Sequence, residues 1–129
     1  MILETSFVID FLNGKRDAVS KISSLIDENR DCIITTPTIF EVWSGIISLK
    51  KGENEKTKTK LLLNNQIIYG LDVESAEIAG KIHGELVLKG LTIDPADCMI
   101  AGIAISNNIP LLTRDRHFES RVGLKIESY

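Results

Sequence analysis

Apolar and polar positions fall along the chain in blocks that separate strands from helices. Met1-Ile2-Leu3 is an apolar triplet running straight into Glu4, which predicts a buried central strand with an acid at its carboxyl end. Phe7 to Leu12 is a short apolar run closed by the turn signal Asn13-Gly14. Val19, Ile22, Leu25 and Ile26 share one stripe, predicting a helix from Ala18 to about Glu28 with Asp17 as its cap. Cys32-Ile33-Ile34-Thr35 is β-branched and apolar, the pattern of a second strand. Thr36 then serves as N-cap and Pro37 suits the first turn of a helix carrying Ile39, Phe40, Val42, Trp43, Ile46, Ile47 and Leu49. Glu41 lies in its first turns, and Lys50, Lys51 and Gly52 suit its end.

The segment from Glu53 to Lys60 mixes both signs of charge and predicts the start of a solvated helix. Gln66 to Tyr69 is a third strand, and Asp72 or Val73 opens a long helix to Lys89 that Gly90 ends. From Asp97 to Ile105 the residues are apolar on every side, the mark of a helix buried on more than one face. Gly102 within it would let another element approach closely. Ile109 to Thr113 is a fourth strand, a short turn surrounds His117-Phe118, and Gly123 to Ile126 is a last edge strand. The order β-α-β-α-α-β-α-α-β-α-β requires crossover connections. It predicts an α/β sandwich with a mostly parallel central sheet and helices on both faces.

Length and composition narrow the class. At 129 residues, residues 1–129 are expected to form a single domain with its own core. Hydrophobic content of 43% and charged content of 26% are those of an ordinary globular protein. A formal net charge of -3 gives no general attraction for a polyanion, so nucleic-acid binding would need a local basic patch or bound cations. Cys32 and Cys98 lie in apolar runs and read as buried reduced thiols of a cytoplasmic protein. The opening residues lack a positive leader, and no apolar run reaches the roughly 18 residues of a membrane span.

The acids add candidate chemistry. Glu4 directly follows the first strand, and Asp115 follows the fourth with Arg114 between it and Thr113. Glu41 and Asp97 lie near helix starts. Strand ends and helix starts meet at one edge of a doubly wound sheet, the edge where ligands bind. Crowded carboxylates stay ionised only when a cation joins them, and oxygen ligands favour Mg²⁺ or Mn²⁺. Such a cluster suits metal-assisted phosphodiester hydrolysis, and the cations would receive a phosphate that the acidic chain otherwise repels. Taken singly, each acid also fits a plain helix cap or turn residue.

The chain resembles the PIN-domain ribonucleases, most closely the VapC-type toxins of toxin–antitoxin pairs. The resemblance rests on Gly90-Leu91-Thr92-Ile93-Asp94-Pro95-Ala96-Asp97-Cys98-Met99-Ile100-Ala101, Ile109-Pro110-Leu111-Leu112-Thr113-Arg114-Asp115 and His117-Phe118. The opening six residues with Val8-Ile9-Asp10, and Thr38-Ile39-Phe40-Glu41, match too. It implies a PIN-like three-layer sandwich of sheet order 3-2-1-4-5, an acidic Mg²⁺/Mn²⁺ site, cleavage of RNA, a homodimer and inhibition by a cognate antitoxin protein. Residue by residue, it maps the acidic quartet onto Glu4, Glu41, Asp97 and Asp115. Asp94 falls on an accessory acid, and Ser6 and Thr113 fall on hydroxyl positions that orient the carboxylates. The departure is Glu4, where the family has Asp: the carboxylate is kept one methylene further from the strand.

Arg114, Arg116, His117 and Arg121 flank Asp115 and form a local basic surplus. They read equally as phosphate contacts and as solvated charges. Phe40 and Trp43 sit on the apolar stripe of their helix and read as core or dimer contacts rather than base-stacking platforms. Beside the ribonuclease toxin stand two other readings. One is a weakened PIN domain that binds RNA or the antitoxin, motivated by Glu4. The other is a phosphotransfer domain, which would need an Asp where Glu4 stands.

Overall fold

The computed structural model describes residues 1–118 and 123–129. Five short strands form one sheet of order β3-β2-β1-β4-β5: β1 (Ile2–Leu3), β2 (Ile33–Thr35), β3 (Ile67–Tyr69), β4 (Leu111–Leu112) and β5 (Ile126–Glu127). Every pairing is parallel, with Ile2 level with both Ile33 and Leu111. Six helices connect the first four strands: α1 (Thr5–Leu12), α2 (Arg16–Asp27), α3 (Thr36–Ser48), α4 (Glu53–Asn64), α5 (Val73–Leu88) and α6 (Pro95–Ser106). A single 3-10 turn, Arg116–Phe118, follows β4. None of the described helices is long and apolar enough to cross a membrane.

Successive strand residues point to opposite faces, and that alternation sorts the core into layers. Leu3, Ile34 and Leu112 face Phe7, Val8, Ala18, Leu25, Val42 and Ile46 from α1, α2 and α3. Ile2, Ile33 and Leu111 face Ile100, Ala101, Ile103 and Ala104 of α6. The sheet is therefore covered on both sides, as the strand–helix alternation predicts, and β1 lies at its centre. α6 is itself covered by α5. A Cβ on Gly102 would stand 2.4 Å from the backbone oxygen of Ser75 and 3.0 Å from Ala79 Cβ, so only glycine permits this approach. Asp72 is the N-cap of α5, in a reciprocal pair with Ser75.

Several local expectations are corrected. Two helices, not one, separate β1 from β2, because residues 5–12 coil immediately after Glu4. That run is apolar on more than one side, so no stripe marks it as a helix. Asp17 is not the cap of α2: Lys15 stands at the N-cap and Asp17 lies inside the first turn. The helix begins directly after the turn at Gly14 (φ 70°), with no breaker to delay it. The cap of α3 is Thr35 rather than Thr36, its hydroxyl accepting from the Thr38 N–H. Gly52 starts α4 rather than ending α3, which stops at Ser48 with Lys50 in the left-handed region (φ 52°). Cys98 is buried, but Cys32 is only half-buried.

Candidate active site

Every strand points the same way, so their carboxyl ends share one edge. Glu4 leaves β1 there. Its N–H donates to Leu112 O of β4 at 3.1 Å, and its carbonyl accepts the first bond of α1 from Val8. It is the N-cap of α1, yet its side chain makes no capping bond. The side chain is only 4% exposed. One carboxylate oxygen receives a long 3.5 Å bond from the Ser6 hydroxyl. The other, Oε2, is the one buried side-chain polar atom among the described residues without a hydrogen-bond partner. Such a group is costly to bury and is a mark of a site rather than of a scaffold.

Glu41 arrives from the second turn of α3. The Thr5 hydroxyl donates to its Oε1 at 2.6 Å, and Thr5 in turn shares a 3.1 Å bond with Thr38, which also receives one from Thr35. Asp97 sits in the first turn of α6, half-buried, and Asp115 follows β4, also half-buried. The Asp115 N–H donates to the Thr113 hydroxyl at 2.9 Å, so Thr113 fixes the backbone that carries this acid. Asp94 behaves differently. It is exposed and caps α6 by accepting from the Ala96 N–H at 2.9 Å.

The electrostatics show that these acids share a field. Burial, and then the charges of Glu41, Glu4, Asp94 and Asp115, push the Asp97 carboxyl up to about 7. Burial raises Glu4 as well, against two bonds from Ser6, and Glu41 and Asp115 add to the rise. Glu41 is raised by burial, with the Thr5 bond opposing and Asp94 assisting. Among the described residues no three of these groups already stand at the spacing of a metal-ligand set. The donors are all oxygens and one of them is buried and unpaired, which suits a hard cation.

The PIN-domain model matches residues 1–123. The chain belongs to the PIN-domain family. Ribonuclease VapC1 of Methanocaldococcus jannaschii is 31% identical to it over 129 residues, spanning 98% of this chain and 85% of the relative. The tRNA(fMet)-specific endonuclease VapC of Salmonella typhimurium is 27% identical over 129 residues, spanning 99% and 96%. The crystal structure of VapBC2 from Rickettsia felis bound to a DNA fragment from its promoter superposes with a TM-score of 0.85. The identity is 26%, over 99% of this chain and 97% of that one. The fold expectation of a three-layer sandwich of order 3-2-1-4-5 thus holds in both topology and likeness.

Within this PIN domain, Glu4, Glu41, Asp97 and Asp115 come to one edge, and Asp94 stands beside them as a helix cap. Ser6 is a weak partner of Glu4. Thr5, which bonds Glu41, and Thr35 and Thr38 behind it are not marked out by residue type or spacing. The usable signal was that Thr5 and Thr38 stand one and three residues from acids at the edge. Arg114 is engaged by the Asp17 carboxylate at 3.2 Å and stacks on the Tyr129 ring, 4.2 Å from its centroid. Arg116 is exposed. Arg121 lies outside the described residues, as does the side chain of His117. Phe40 is 71% exposed and so is not core, whereas Trp43 packs against the core.

Proposed function

We propose that this PIN domain, spanning residues 1–129, is a metal-dependent endoribonuclease acting as the toxin of a toxin–antitoxin pair in the cytoplasm. The observation that carries this is Glu4 Oε2, buried and unpaired in a field of three other carboxylates. Glu4, Glu41, Asp97 and Asp115 would hold Mg²⁺ or Mn²⁺. When bound, the cation supplies Lewis acidity at the phosphodiester and a water of lowered pKa.

The remaining work falls to the chain's own side chains. Thr5 holds one Glu41 oxygen. Thr113 fixes the Asp115 backbone. Asp97, raised to about 7, has to give up its proton before it serves as a ligand, so the site strengthens toward neutral pH. Arg116 would take an RNA phosphate beside Asp115. The relatives named for RNA or tRNA(fMet) cleavage make RNA the substrate class to test first. Exposed Phe40 and Ile47 of α3 and Leu49 after it support apolar contacts with an antitoxin or with a second copy in a homodimer.

The decisive experiment is cleavage of total RNA and of initiator tRNA by the purified chain with Mg²⁺ or Mn²⁺. Cleavage should require the metal and should vanish in Asp97→Asn. Cleavage that continues in excess EDTA would sink the proposal. Glu4 favours a second reading, in which the longer carboxylate leaves a weakened domain whose role is to hold RNA or antitoxin. Glu4→Asp separates the two: a gain in activity and metal affinity supports weakening, and no gain speaks against it.

A further inference from the structure

After β5, Ser128 and Tyr129 continue beside the exit of β4. The parallel ladder sets this up: Leu112 is level with Glu127, and the Thr113 N–H donates to Glu127 O at 3.0 Å. Two residues further along each strand, Arg114 and Tyr129 therefore stand side by side. β5 itself is anchored by Glu127, which binds Lys21 of α2 at 2.5 Å and Arg30, beyond the end of α2, at 2.9 Å.

Tyr129 makes three contacts, two with α1 and one with the segment after β4. Its ring meets Phe7 of α1 edge-on, with centroids 4.5 Å apart and planes at 88°. Its hydroxyl donates to Asp10 Oδ2 at 2.9 Å, one helical turn beyond Phe7 on α1. The Arg114 guanidinium covers the ring and bonds Asp17 of α2, with Asp10 3.9 Å away. Asp10 is buried and is also paired with Lys15 at 2.7 Å. Phe7 is fully buried and lies one turn after Glu4. Arg114 is the residue before Asp115. The stack thus ties the segment that carries Glu4 to the segment that carries Asp115, two acids from strands joined by a two-residue ladder.

We propose that Tyr129 and Arg114 are positioning residues of the acidic site: the Phe7–Tyr129–Arg114 stack, pinned to Asp10, sets the exit of β4 against the start of α1. Glu4 and Asp115 are thereby held in fixed relation. This role goes beyond direct RNA contact by Arg114, because its charge is already shared with Asp17 and Tyr129. It rests on reading the acids as a cation-dependent ribonuclease site. A misplacement of about 1 Å at such a site costs on the order of 100-fold in rate, so a clamp of this kind has a measurable effect. The Glu4 charge also reaches Tyr129, where burial and the Asp10 bond keep the phenol protonated and donating.

The test compares Tyr129→Leu with Tyr129→Phe in the full chain. Three quantities are read: hydrogen exchange at the Asp115 amide, Mn²⁺ affinity from the spin resonance of the free ion, and kcat and KM on a labelled RNA. Tyr129→Leu should speed exchange at Asp115 by about tenfold and weaken Mn²⁺ binding several-fold. It should lower kcat by about tenfold, with KM changed less than about twofold. Tyr129→Phe keeps the stack but loses the Asp10 bond, and should fall between the unaltered chain and Tyr129→Leu in all three. If Tyr129→Leu does not fold, Arg114→Lys keeps the charge, loses the planar stack and carries the same comparison. Unchanged exchange and Mn²⁺ affinity overturn the proposal. So does an effect confined to KM and its salt dependence, which would make Arg114 an RNA contact only. Absence of metal-dependent cleavage by the unaltered chain would defeat the ribonuclease reading, while exchange at Asp115 would still decide the clamp.

Discussion

Thr38 and Glu4 are buried at the same edge of the same sheet, and they end in opposite states. Thr38 is fully enclosed and bonded to Thr5 and Thr35. Glu4 is nearly as enclosed, carries a carboxylate, and leaves one oxygen with no partner. A fold selected for stability alone would pair the charged group before the neutral one, since an unpaired buried charge costs more than an unpaired hydroxyl. Here the hydroxyls are spent on each other and on Glu41. The difference separates scaffold from site. The threonine network gives the edge its shape, and burial there disfavours the charge that the acids would carry.

Substitutions on either side of that comparison should fail in different ways. The largest effect is expected at Asp97. Losing a group that merely orients a metal ligand costs about 10- to 100-fold in metal affinity or activity. Asp97→Asn, which removes a proposed ligand, should reach or pass the top of that range in RNA cleavage assays. The same variant should melt higher than the unaltered protein at pH 7.5 without metal, because it removes a repelled charge. Thr38→Val should do the reverse. It leaves Thr5 and Thr35 each short of a partner and should cost about 1 to 2 kcal/mol in urea unfolding.

A pH series should give a comparable or smaller effect on the acid side alone. Asp97 titrates at about 7 in the fold and near the ordinary carboxylate value when unfolded. The fold therefore disfavours its charge. The Asp97 contribution to metal-free stability should be greatest below about pH 4, fall as pH rises to about 7, and level off above. Discounted for the partial exposure of Asp97, the fall is about 1 to 2 kcal/mol, read as unfolding free energy across that range. Asp97→Asn should flatten it. The smallest effect is expected at Ser6, whose bond to Glu4 is long. Ser6→Ala should change stability by less than about 0.5 kcal/mol and activity by only a few-fold.

What was legible in the chain follows from which signals are local. Strand–helix alternation and the all-round apolarity of α6 are properties of short windows, and they predicted the covered parallel sheet. Gly102 was legible for the same reason, as a missing side chain in an apolar helix. The strand order came through resemblance to a family, since no window records which strands are neighbours. α1 escaped because eight residues with apolar positions on several sides show no stripe. The shared edge of Glu4, Glu41, Asp97 and Asp115 was legible because each stands just after a strand or within the first two turns of a helix. The partners of those acids were not. Thr5 reaches Glu41 across 36 positions and Tyr129 reaches Asp10 across 119, and such pairs leave no local trace.

The central claim is that the acids at this edge form a cation site, and equilibrium unfolding with increasing Mn²⁺ at pH 7.5 tests it most directly. A ligand held only by the folded state at 100 times its dissociation constant stabilises by about 2.7 kcal/mol. The unaltered chain should gain stability in this way as Mn²⁺ rises. Asp97→Asn should begin more stable and gain little. Equal responses to Mn²⁺ in the two proteins, or no response in either, would contradict the account.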